Sequence, residues 1–369
     1  MRPHPLTPSP RRGEGERRTV NVPPFRSLRR AVLPLLVAAC VNPSGASAGQ
    51  APPVGACSFV NPVAPGADPW VVRQGGWYYL IQSRDRAIWV YKSDKLTEPT
   101  SNGVLVWTAP DSGWNRTNVW APELHYIDGR WYIYYAAGDT GPPFIHQRSG
   151  VLQSISDDPQ GEYRDNGMLD TGGIWAIDLT VTRLHDGLYA VWSGWEANRA
   201  TDRTPQHLYI ARMSNPWTIQ NSRVRISSPT ESWEHGTELD LNEGPEFLSH
   251  GDQTFIIYST RESWLEDYRL GQLRLKSSES DPMDSSSWLK TGPVFTGSAT
   301  VYGVGHASFT TSPDSLEDWI VYHSKVDARP GWDRVIRMQK FSWHPDGSPD
   351  FGTPVPTGQP ISVPSGQCR

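Results

Sequence analysis

The stretch GGWYYLIQS, residues 75–83, returns four times in altered form: GRWYIYYAA (129–137), GLYAVWSG (187–194), QTFIIYST (253–260) and DWIVYHS (318–324). Each copy alternates large apolar residues and closes on a small or polar one, the pattern of a short strand. A second strand-like run follows each: AIWVYKSD (87–94), GVLQSISDD (150–158), HLYIARMSN (207–215), QLRLKSSES (272–280) and VIRMQKFSW (335–343). A repeat of about 60 residues built only from strands specifies a propeller, and five copies specify five blades. The predicted fold class is all-β, a five-bladed β-propeller.

Composition agrees with that reading. Among 369 residues, 17 Trp, 14 Tyr, 33 Gly and 33 Pro suit aromatic strands joined by tight turns, and no long helical periodicity competes with them. A chain of this length can bury a sizeable core.

The first 48 residues differ from the rest. Arg26, Arg29 and Arg30 precede AVLPLLVAAC (31–40), an apolar run too short to span a membrane, and a small-residue segment follows it. This is read as an export leader over 1–48, cleaved after Ala48 to release a secreted or periplasmic protein. The alternative is a lipoprotein signal ending at Cys40, and membrane attachment is expected only in that case. A short linker over 49–57 then leads into a propeller over 58–369. Without the leader the chain keeps 26 basic and 37 acidic residues, a net charge of −11, which does not attract nucleic acid. Cys57 and Cys368 sit at the two ends of the mature chain, where an oxidising compartment permits a disulfide that would tie the ring.

About ten residues ahead of each repeated strand stands a polar residue in an apolar run: Asp68 in ADPW, Glu123 in VWAPELHY, Asp178 in WAIDLTVT, Glu243 in LNEGPEFL and His306 in VGHASF. The first strand of every propeller blade lines the central channel, so five blades aim four carboxylates and one imidazole at one axis. Like charges gathered in a partly dry pocket drive their pKa values apart, giving an acid and a base at the same pH. Two carboxylates flanking a glycosidic bond are the minimum equipment for sugar hydrolysis. Spacing alone does not say which acid does which job.

Structural readings stand beside the chemical ones. Asp68 ahead of Pro69 also suits a turn, and His306 also suits a satisfied core histidine. Asp178 is harder to place that way, because an unpartnered Asp inside WAIDLTV is costly. Glu123 reads as a paired core acid, and Glu246, three past Glu243, is expected to point away from it on a regular strand.

ADPW (67–70), WAIDLT (175–180), LNEGPE (241–246) and YGVGHASF (302–309), in that order, resemble glycoside hydrolase family 43, a family of arabinofuranosidases, xylosidases and arabinanases. The resemblance covers residues 58–358. It implies Asp68 as general base, Glu243 as general acid and Asp178 as the residue that orients the acid and tunes its pKa, with inversion at the anomeric carbon. It implies His306 beside a channel ion, a structural calcium held through water, although Val304 departs from the family's usual Gly-Pro-Gly-His. No cofactor is required for the chemistry itself. VWAPELHYIDGRWYIYYAA (119–137) and SPDSLEDWIVYHS (312–324) resemble the arabinofuranosidase side, so the implied substrate is plant cell-wall polysaccharide or oligosaccharide, arabinan or arabinoxylan. The expected function is an exo-acting α-L-arabinofuranosidase, with β-xylosidase, endo-arabinanase and a non-catalytic sugar-binding propeller as the competing readings.

Trp70, Trp120, Trp175 and Trp195 lie near these motifs, and one or two of them are expected to pack on sugar faces while the others fill the core. Arg337 in VIRMQ is expected to reach the pocket from the last blade. No Gly-Lys-Ser/Thr phosphate loop, His-Glu-x-x-His helix or Gly-x-Ser-x-Gly elbow occurs.

Overall fold

The computed structural model describes residues 57–184, 186–220 and 222–368. The export leader, Cys40 and all of the linker except Cys57 lie outside the described residues. Among those described, no helix is long and apolar enough to cross a membrane.

Five antiparallel sheets follow one another along the chain, the first four laid down in sequence order from the inner strand outward. Blade 1 comprises Trp70–Gln74, Trp77–Arg84, Ala87–Ser93 and Gly103–Thr108; blade 2 comprises Thr117–Ile127, Arg130–Gly138, Arg148–Ser154 and Tyr163–Met168. Blade 3 comprises Ala176–Leu184, Gly187–Gly194 and His207–Asn215, whose outer edge pairs with both Thr218–Ile219 and Val224–Ser227. Blade 4 is Asn242–His250, Gln253–Thr260, Arg269–Leu275 and Trp288–Phe295.

Blade 5 is built from both ends of the chain. Tyr302–Thr311, Asp318–Lys325 and Arg334–Trp343 supply three strands, and the N-terminal Ala64–Pro65 adds the fourth, with Ala64 opposite Ile336 and Pro65 opposite Val335. Nearby, Ser58–Val60 pairs with Pro360–Ser362, and a disulfide joins Cys57 to Cys368.

The alternating strands bury one face against each neighbouring sheet, so the core is divided among the blade junctions. Ile81, Val90, Trp131 and Ile133 fill the first junction, Tyr134, Leu179, Val181 and Trp192 the second, Tyr189, Ile210, Ile256 and Leu273 the third, and Phe255, Ile257, Ile320 and Tyr322 the fourth. Leu80, Tyr91, Trp319 and Ile336 fill the fifth, where blade 5 meets blade 1. Three Trp residues of the repeated strands, Trp131, Trp192 and Trp319, are at most 2% exposed, and truncating one to Ala would cost about 3–5 kcal/mol.

The innermost strands are irregular where they face the hub. Their pairing with the second strand shifts register between Ile177 and Thr180 in blade 3, Glu243 and Glu246 in blade 4, and twice in both blades 2 and 5. Each bulge holds a residue at positive φ: Ala121 (40°), Asp178 (53°), Gly244 (51°) and His306 (44°), while Asp68 (49°) stands just ahead of the blade 1 strand. A bulge bends the strand and re-aims a side chain, and positive φ at a non-glycine residue costs about 1–3 kcal/mol. The polar residues of the hub thus stand at or beside the points where strand alternation is broken.

Candidate active site

Asp68, Asp178, Glu243 and His306 converge at one end of the channel, although 238 positions separate the first from the last. Asp68 is the most exposed of the three acids, with 22% of its side chain accessible, whereas Asp178 and Glu243 are buried.

Asp68 is surrounded by positive and protonatable groups. Its Oδ1 lies 3.2 Å from Nη1 of Arg334, 3.1 Å from Nδ1 of His323 and 3.4 Å from Nδ1 of His306. Burial alone would raise its pKa; the charge of Arg334, then those of the histidines and the hydrogen bond from His323, outweigh burial and hold the carboxyl far below the usual range. The Asp68 amide also lies within hydrogen-bonding distance of His323 Nδ1, at 3.2 Å. Burial lowers the His323 pKa to about 4, so this ring is neutral at neutral pH.

Glu243 has the opposite environment. Burial first, and the neighbouring Asp178 second, push its pKa well above the carboxylate norm. The Tyr268 hydroxyl donates to Oε1 at 2.9 Å and opposes the rise without cancelling it. Asn242, one residue before, is held by its own network: its side-chain amide donates to Glu234, its side-chain oxygen accepts from Ser227, and its carbonyl accepts from Ser193. The backbone leading into Glu243 is therefore pinned on three sides.

Asp178 connects the two. Its Oδ2 accepts the Gly244 amide at 3.0 Å, bonding blade 3 to the residue after Glu243. Burial raises the Asp178 pKa, and His306 opposes this. Gly244 adopts φ 51°, and a Cβ there would stand 3.0 Å from the His306 ring, so this position admits only glycine without displacing the imidazole. His306 is fixed by its amide, which donates to Ser259 Oγ at 2.7 Å.

Beside this cluster lies a second acid pair that strand alternation had placed differently. The bulge between Glu243 and Glu246 carries Glu246 into the hub, where it raises the pKa of Glu123, burial being the larger cause. Burial raises Glu246 as well, and its Oε2 has no hydrogen-bond partner among the described residues. His125 Nε2 contacts Glu123 Oε2 at 2.9 Å, a distance typical of an ion pair, yet burial lowers the His125 pKa to about 3. With the imidazole neutral, the contact is a hydrogen bond and not an ion pair.

Several sequence-based expectations are corrected here. Arg337 does not reach the pocket: it is buried, donates to Ser324 Oγ (2.8 Å), the Val355 carbonyl (3.1 Å) and Thr357, and so ties the C-terminal tail to blade 5. The arginine at the site is Arg334, three residues earlier and on the other face of the same strand. Trp195 has no accessible surface and stacks on Trp175 at 4.6 Å and 4°, so neither offers a free face; Trp175 also donates to the Phe144 carbonyl. Trp70 is partly buried, donates to the Leu124 carbonyl and lies 4.4 Å from His125, which contacts Glu123. Trp120 is half-buried, edge-on to Phe144, in the apolar cluster that includes Ile177, the neighbour of Asp178 in the chain.

His323, Tyr268 and Arg334 escaped sequence reading. His323 ends the strand DWIVYHS and was visible only as the polar close of that motif, while Tyr268 follows an irregular loop with no periodic signal. The resemblance implied a calcium that His306 holds through water. His306 Nδ1 is turned to Asp68, and among the described residues no three His, Cys, Asp or Glu side chains gather as a cage for a directly ligated ion, an arrangement the water-held ion does not require.

Residues 59–349 match the family described as glycosyl hydrolases family 43. An extracellular exo-α-(1→5)-L-arabinofuranosidase of Streptomyces avermitilis is 36% identical over 333 residues, covering 86% of this chain and 67% of that protein. An α-L-arabinofuranosidase 43 of Humicola insolens is 34% identical over 307 residues, covering 79% of this chain and 62% of its own. The crystal structure of an α-L-arabinofuranosidase from Lactobacillus brevis superposes with a TM-score of 0.76 at 31% identity, covering 81% of this chain and 98% of that one. The chain thus spans about two thirds of the length of these two curated relatives.

Proposed function

Because the chain belongs to glycosyl hydrolase family 43 and is a glycoside hydrolase, we propose that it is exported and removes terminal α-L-arabinofuranosyl units from arabinan or arabinoxylan with inversion. The observation that carries this reading is the contrast between two acids that the fold brings together: Asp68 lies 3.2 Å from the Arg334 guanidinium, which holds its pKa down, whereas burial first and Asp178 second push that of Glu243 up. Asp68 takes the proton of an attacking water, and Glu243 delivers its own to the leaving oxygen. Tyr268 occupies Glu243 Oε1, which leaves Oε2 to carry the transferable proton. Asp178 holds the Gly244 amide, fixes the acid's approach, and keeps its pKa high. His306 and His323 position the base, and no cofactor takes part. The arabinose preference draws on the names of the relatives, two of which are described as exo-acting and extracellular.

Turnover of 4-nitrophenyl α-L-arabinofuranoside against the β-xyloside tests the sugar. A higher kcat/KM on the xyloside would replace this reading with a β-xylosidase. Glu243→Gln tests the acid: hydrolysis of unactivated glycan is expected to fall on the order of 10³-fold while binding is retained. Retained turnover would remove Glu243 from that role.

A further inference from the structure

The loops on the catalytic face are unequal. Between second and third strands, blade 1 has only Asp85 and Arg86, whereas blades 2 to 5 carry 139–147, 195–206, 261–268 and 326–333. The blade 4 and blade 5 loops meet through two tryptophans. Trp264 and Trp332 lie 5.1 Å apart at 46°, and Trp332 is 60% exposed, the most exposed aromatic side chain among the large exposed residues described.

This pair is joined to the catalytic centre. The Arg334 guanidinium that contacts Asp68 also lies 5.5 Å from the Trp332 ring. Arg203, ion-paired to Glu238 at 2.8 Å, lies 5.2 Å from the other ring, Trp264. The loops are braced from beneath. Glu262, fully buried, accepts the amides of Thr237, Glu238 and Leu239, and the Gly331 amide donates to the Trp264 carbonyl at 2.9 Å while its own carbonyl accepts from Lys325. Gly331 has φ 153°, a conformation side chains other than glycine's rarely adopt. An exposed indole on so constrained a backbone is a fixed apolar plate. Trp77 and Trp217, exposed by 39% and 40%, are instead covered by Lys92 and Tyr132.

We propose that Trp332, backed by Trp264, forms a binding subsite for the leaving portion of the glycan, stacking on the sugar beyond the bond that is cut. The direction follows from the acid. The leaving oxygen must sit at Glu243, and the loop bearing Trp264 belongs to the blade that carries Glu243 and also supplies Tyr268 to it. A sugar leaving the pocket over that blade meets the indole plate, whose flat apolar face matches the C–H face of a furanose or pyranose ring. The proposal rests on the glycosidase reading above and adds where the rest of the chain lies.

The test compares a substrate that lacks this extension with one that has it. For Trp332→Ala, kcat/KM on methyl α-L-arabinofuranoside, whose leaving methanol has no ring to stack, is expected to stay within about twofold, whereas KM for a linear α-1,5-arabinotriose rises about tenfold with kcat retained. Trp332→Phe should recover most of that loss. Equal losses on both substrates would show that Trp332 acts only by holding Arg334, and no loss on either would show that sugar does not stack there; each overturns the subsite. Should the wild type hydrolyse neither arabinoside, the substrate reading fails separately. The subsite is then judged by tryptophan-fluorescence titration of wild type and Trp332→Ala with arabinotriose and xylotriose: weaker binding by the variant supports it, and identical titrations overturn it.

Discussion

Two groups of acids share the hub, and their environments push them in opposite directions. Asp68, partly exposed, sits within 3.4 Å of Arg334, His323 and His306, and its pKa is held down. Glu123 and Glu246, both buried, have each other and a His125 that burial keeps neutral, and both are driven toward the protonated form. Desolvation opposes charge in both groups, so it does not by itself separate them. A permanently charged guanidinium does, because its charge cannot be lost to escape the penalty. Glu243, buried beside another carboxyl and bonded to the Tyr268 hydroxyl, follows the second pair, as the acid of the proposed reaction must.

The comparison is broken most forcefully by exchanging carboxyl for amide in each group. Asp68→Asn replaces an anion with a neutral group and is expected to lower kcat on the order of 10³-fold or more, measured on the nitrophenyl arabinofuranoside. A loss below tenfold would mean that Asp68 is not the base. Arg334→Met should cost about 10²-fold and also move the acidic limb of the kcat/KM profile. Removing the cation beside Asp68 lets burial raise its pKa, so the limb shifts to higher pH. A loss of activity with an unmoved limb would assign Arg334 to substrate contact instead.

Glu246→Gln should have the smallest effect on turnover, within about threefold, since the amide matches the carboxyl in size and burial already drives that carboxyl toward its neutral form. Its signature is in stability. A buried carboxyl with a raised pKa contributes fully below its unfolded value near 4.5 and loses that contribution as pH rises toward its folded value. The Tm of Glu246→Gln relative to wild type is therefore expected to climb between pH 5 and pH 8. A difference independent of pH would place an ionised Glu246 in the hub and erase the contrast with Asp68.

Much of this arrangement could be read from the chain before any coordinates. Five aromatic repeats dictated five blades because strand alternation and period survive without knowledge of long-range contacts. The residues Asp68, Asp178, Glu243 and His306 stood out as polar interruptions in apolar runs. Alternation failed at the bulges, which is why Glu246 was expected to face away and instead enters the hub. The choice of Arg337 over Arg334 failed because the two lie on opposite faces of one strand, and only the position of Asp68 from the other end of the chain reveals which face matters. Trp175 and Trp195 were drawn to sugar by their neighbourhood in sequence, yet each is the other's partner. Trp264 and Trp332 have no motif around them, and their pairing depends on two loops from different blades.

The mixed composition of blade 5 has a consequence for when the molecule becomes competent. The strand Ala64–Pro65 lies only three residues ahead of Asp68, and the strand it joins carries Arg334. During synthesis the first of these emerges well over two hundred residues before the second, so a nascent chain carries Asp68 without the guanidinium that balances it. Closing the ring and supplying that counter-charge both wait for the same late strand.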